Sequence, residues 1–100
     1  MTFVEWDHVA AGPSLRAAFL RVRDEERRAV GCIPGQTGSI AEHEDVVLVH
    51  DEDGQGPVTE ERARHLAEHE YGYRDTALAI RLRTEPGKPK AWFIFGKSHM

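Results

Sequence analysis

The sequence predicts a two-layer α+β domain, with two main helices packed on a small mixed sheet that ends in an antiparallel β-hairpin. Three observations carry this reading. An amphipathic stretch from Ser14 to about Val30 has helical spacing, Val46-Val47-Leu48-Val49 has the composition of a strand, and residues 76–96 alternate, turn and return. With 100 residues, 40% of them apolar and 30% charged, the chain is one domain spanning 1–100 with material for a single core.

The first eleven residues admit two readings. Thr2 and Glu5 fit a capping box that opens a short helix, whereas Val4 and Trp6 on one side with Phe3 and Glu5 on the other fit a strand. Gly12 and Pro13 then break the chain, and Ser14 caps a helix that Gly31 stops. Leu15, Ala18, Phe19, Val22, Ala29 and Val30 form its apolar stripe, and Arg23, Asp24, Glu25, Arg27 and Arg28 face water. Residues 31–44 hold Gly31, Pro34, Gly35 and Gly38 and read as a loop with one short strand around Ile40. The continuous apolar run at 46–49 predicts a strand buried on both faces, inside the sheet.

After a polar turn at 51–57, Thr59 caps a second helix to about Glu70 that turns Ala63, Leu66 and Ala67 inward; Tyr71, Gly72 and Tyr73 end it. In the hairpin Leu78, Ile80 and Leu82 alternate, Glu85-Pro86-Gly87-Lys88-Pro89 turns, and Trp92 to Phe95 returns.

Charge is unevenly spread. Before Arg74 there are seven basic and 15 acidic side chains; from Arg74 onward there are six basic and two acidic. A basic tail on an acidic body favours neutralisation of its own helices over nucleic acid. Cys32 is the single cysteine and the longest apolar run is Ala91-Trp92-Phe93-Ile94-Phe95, so the expectation is a cytoplasmic protein with neither disulfide nor membrane span.

Several short motifs touch on chemistry. His65-Leu66-Ala67-Glu68-His69 resembles the HxxEH pattern of inverted zinc peptidases, in which histidines one turn apart hold Zn²⁺ beside a carboxylate base. This spacing also suits a solvated helix face, and only His50 offers itself as a further ligand. Asp51-Glu52-Asp53-Gly54-Gln55-Gly56 resembles the start of a calcium loop, but Arg62 occupies the position of the bidentate Glu. The glycines between Gly31 and Ser39 lack a P-loop lysine and make turns. No cofactor is expected.

The hairpin is the most informative constellation. Pairing Thr84 with Lys90 sets Leu82 against Trp92 and Ile80 against Ile94 on one face, and Arg81 against Phe93, Ala79 against Phe95 and Arg83 against Ala91 on the other. That second face either stays open or is covered by a helix or the N-terminal segment. Left open, its Arg81, Arg83, Phe93 and Phe95 compose a partner-binding surface. The expected function is a non-catalytic interaction module that binds a protein partner or its own copy. A single-stranded nucleic-acid binder stacking bases on Phe93 and Phe95, and a small metal-dependent hydrolase using His65, Glu68 and His69, are the alternatives.

Overall fold

The computed structural model describes residues 3–30, 40–49 and 56–99. It contains β1 (Phe3–Gly12), α1 (Leu15–Val30), a 3₁₀ turn at Ile40–Glu42, β2 (Val46–Val49), α2 (Glu60–Leu66) continued by a π turn at Ala67–Tyr71, β3 (Ala77–Leu82) and β4 (Lys90–His99). The α+β class, the two helices on a mixed sheet and the antiparallel C-terminal strands are as the sequence predicts.

Thr2 lies outside the described residues, and from Phe3 on the N-terminal segment takes the strand reading: β1 pairs antiparallel with β4 from Phe3↔His99 to Gly12↔Lys90. The four strands lie in the order β1-β4-β3-β2, and β2 pairs parallel with β3. Strands β1, β2 and β3 therefore run the same way, and β4 runs against them.

That order decides where the helices go. The connection from β1 to β2 crosses the whole sheet through α1, whereas the connection from β2 to β3 steps back by one strand through α2. Crossovers of one hand that travel in opposite directions must lie on opposite faces. Accordingly α1 packs Ala18 and Phe19 with Trp6, Ala10, Ala77, Ala79, Trp92 and Ile94, and α2 packs Ala63, Leu66 and Ala67 with Leu78, Ile80, Leu82, Phe93 and Phe95. The face that a two-layer arrangement leaves open is covered by α2.

Local signals set the helix starts. Ser14 Oγ accepts from the Ala17 amide at 3.2 Å, and Thr59 Oγ1 accepts from the Arg62 amide at 3.2 Å. Gly72, at φ 65°, ends the second helix with a conformation that side chains resist. Several expectations change. Ala29, expected on the apolar stripe of α1, is exposed, and the Arg23 side chain, expected in water, is 13% exposed. Ile40 opens a 3₁₀ turn in place of a strand, with its side chain fully buried. Residues 46–49 form an edge strand, not an interior one, and leave Val47 50% exposed. The helix from Thr59 passes into a π turn after Leu66.

Candidate interaction site

The hairpin register differs by one residue from the expected one. Leu82 pairs with Ala91, Arg81 with Trp92, Ile80 with Phe93, Ala79 with Ile94 and Leu78 with Phe95. The cause is the connection: the Lys88 amide donates to the Glu85 carbonyl at 3.1 Å, with Pro86 and Gly87 (φ 84°) at the turn's centre, and the strands begin only at Leu82 and Lys90. A one-residue slip exchanges the faces of every side chain.

The four expected partner-binding residues are therefore separated. Phe93 and Phe95 lie on the α2 side and are fully enclosed, their rings stacked at 5.7 Å. Tyr73 meets Phe95 edge-on at 5.8 Å, and the Arg64 guanidinium lies 5.0 Å from the centre of the Phe93 ring. Arg81 belongs to the other face, beside Trp92, and is half-buried with its Nε lacking a hydrogen-bond partner. Arg83 is exposed just beyond the end of β3. Since neither phenylalanine reaches solvent, no base or partner side chain can stack on them.

On α2 and the π turn that continues it, His65, Glu68 and His69 are exposed. The two imidazole centroids stand 4.6 Å apart, and His69 Nε2 is 3.9 Å from Glu68 Oε2. Among the described residues there is no group of three or more His, Cys, Asp or Glu side chains placed to hold a metal ion. His50, Cys32, the glycine-rich stretch 31–38 and the calcium-like residues Asp51 to Gln55 lie outside the described residues.

What α2 leaves uncovered is β1. Among the described residues no strand pairs with its outer edge, so backbone donors and acceptors of every second residue along this ten-residue strand face outward on one side. Its side chains alternate between the faces. Trp6 and Ala10 are buried under α1, while Phe3 and Val9 on the other face are 45% and 48% exposed. Glu5 is exposed on that same face, and Asp7 accepts from Arg64 Nη1 at 3.3 Å. Arg64 also donates to Glu60 at 2.9 Å, and this hydrogen bond leads the effects that raise its pKa above the ordinary value.

Beside Phe3 a cleft of about 460 Å³ opens between Tyr73, Arg74, Asp75, Thr76 and Lys97. Burial, with Asp7, Glu68 and Glu5 in support, raises the Tyr73 phenol above its ordinary pKa.

No family model, curated protein or solved structure matches this chain. Its surface must be read from its own chemistry.

The sequence reading also missed the latch that holds β1 in place. Trp6 Nε1 donates to Ser98 Oγ at 2.9 Å, and His43 Nε2 lies 2.9 Å from that oxygen and 3.1 Å from the Lys97 carbonyl. A carbonyl only accepts, so the tautomer protonated at Nε2 satisfies Lys97, and the other tautomer takes the Ser98 hydroxyl proton instead. Ser98 is 3% exposed, and its hydroxyl ties the edge strand, the end of β4 and the segment before β2 together. A Ser and a His 55 positions apart give no spacing signal from which this contact could be read.

Proposed function

We propose that the protein is a non-catalytic interaction module that binds an extended segment of a partner protein by adding it as a fifth strand along β1. The observation that supports this most is the ten-residue outer strand, beyond which no further strand pairs among the described residues, with two exposed apolar side chains, Phe3 and Val9. Main-chain hydrogen bonds along such an edge supply affinity, and alternate side chains supply specificity.

The charges on that strand favour a different chain over a second copy. The two-fold antiparallel register that sets Phe3 opposite Val9 of a copy also sets Glu5 opposite Asp7, which is destabilising. Moving the axis to His8 separates the acids but leaves Phe3 opposite Pro13. A partner strand with apolar side chains facing Phe3 and Val9 and basic ones facing Glu5 and Asp7 satisfies all four positions.

A seven-residue peptide with Val at its first and last positions and Lys at its third and fifth tests this. Amides of β1 should shift in NMR spectra on its addition and gain hydrogen-exchange protection, the same peptide with Glu at both Lys positions should bind far more weakly, and Val9→Lys should abolish the response. Perturbation confined to residues away from β1 refutes the reading. A dimer in light scattering that Val9→Lys dissociates replaces it with self-association.

A further inference from the structure

At the other end of β1, Ala11, Gly12 and Pro13 face Lys88, Pro89 and Lys90 across a cleft of about 550 Å³ that Arg21 of α1 also lines. Ala11, Pro13 and Pro89 make its walls apolar, and every charged side chain that lines it is positive. Three other cations of α1 are matched: Arg16 pairs with Asp45, and Arg23 and Arg27 with Glu44. Among the described residues Arg21, Lys88 and Lys90 make no ion pair. Arg83 adds a fourth unpaired cation at this end of the sheet, one residue beyond the Leu82↔Ala91 pair. The first turn of α1 carries no acidic residue either, so no carboxylate of that turn offsets the positive end of its dipole.

We infer that this cleft binds a small organic oxyanion, a carboxylate or phosphate ester carried on an apolar body. Three cations that line one cleft repel one another until an anion relieves them, and charge-assisted hydrogen bonds from Arg and Lys are the strong ones for carboxylate and phosphate. The apolar walls take the body of the ligand. A cleft of about 550 Å³ lies within the range of small-molecule sites. The formal charge of −4 on the whole chain works against a nucleic-acid polymer, whose further phosphates would lie along an acidic body.

The probes are inorganic phosphate, phenyl phosphate and benzoate, each titrated at low salt with amide shifts at Gly12, Lys88 and Lys90 as readout. Phenyl phosphate should bind at least about tenfold tighter than inorganic phosphate, because only it fills the apolar walls. Response to benzoate as well assigns carboxylates to the site, and response to phenyl phosphate alone restricts it to phosphate esters. The double variant Lys88→Gln with Lys90→Gln should weaken binding about tenfold or more, since each change removes a charge-assisted contact. Arg28→Gln, which removes one charge from the far end of α1, should leave it unchanged. Inorganic phosphate binding as tightly as phenyl phosphate, equal loss in Arg28→Gln, or no amide shift with any probe overturns the assignment.

Discussion

Replacing Phe93 with Ala distinguishes a core residue from an interface residue. The ring is fully enclosed, stacks on Phe95 at 5.7 Å, lies under the Arg64 guanidinium at 5.0 Å, and its strand neighbours are Ile80 and Val9. Truncation of a buried Phe to Ala costs about 3–5 kcal/mol through lost transfer energy and the cavity left behind. Arg64 loses its ring as well, a contact worth about 0.5–1 kcal/mol at a partly exposed site. A domain of this size has a total stability of roughly 5–15 kcal/mol, and each 1 kcal/mol moves Tm by about 4–8 °C. A loss of about 4 kcal/mol therefore lowers Tm by about 16–32 °C, read by circular dichroism and checked by the urea midpoint. The mass in light scattering should equal the parent's at temperatures where the variant is folded. A Tm within about 4 °C of the parent would refute the enclosure of this ring under α2.

Other expected outcomes rest on other parts of the molecule. A Cβ added at Gly96 would stand 2.8 Å from Trp6 Cζ2 and 3.2 Å from the Arg74 carbonyl, and the indole is held by Ser98, so Gly96→Ala should cost about 1–3 kcal/mol and shift tryptophan emission. Tyr73 has a folded-state pKa above its unfolded one, so its contribution to stability is complete below about pH 10 and falls as pH rises through the folded value. Tyr73→Phe should flatten that alkaline loss in melts, and absorbance titration should show one phenol ionising late. His65→Ala with His69→Ala should change stability by no more than about 0.5 kcal/mol, both side chains being exposed; stoichiometric zinc in the purified parent, lost in the variant, would revive the metal reading.

The elements governed by neighbours in sequence were legible. Ser14 and Thr59 cap helices because the side chain that accepts and the amide that donates are three residues apart, a distance pattern can see. Ala63, Leu66 and Ala67 face inward because helical spacing puts them on one side. Charge composition likewise showed a basic C-terminal quarter, although which of its cations lack acids had to wait for the fold. Among the described residues no helix is long and apolar enough to cross a bilayer.

What the chain pattern could not decide is everything set by strand order and register. Alternation states that Phe93 and Phe95 share a face with each other and not with Trp92, and it is silent on whether Arg81 or Ile80 lies across from Phe93. That choice turns on one residue in the 83–89 connection. Nor does an apolar run such as Val46–Val49 reveal whether its strand lies inside the sheet or at the edge. Local sequence determined the two helices, the strand at 46–49 and the strands of the hairpin, because capping, periodicity and turn chemistry act within a few residues; it did not decide between helix and strand for β1. The tertiary structure alone decided that α1 and α2 cover opposite faces, that Phe93 and Phe95 are core, and that β1 and β2 are the edges of the sheet. Those outcomes follow from the order β1-β4-β3-β2, which joins residues up to 96 positions apart and leaves no local trace in the chain.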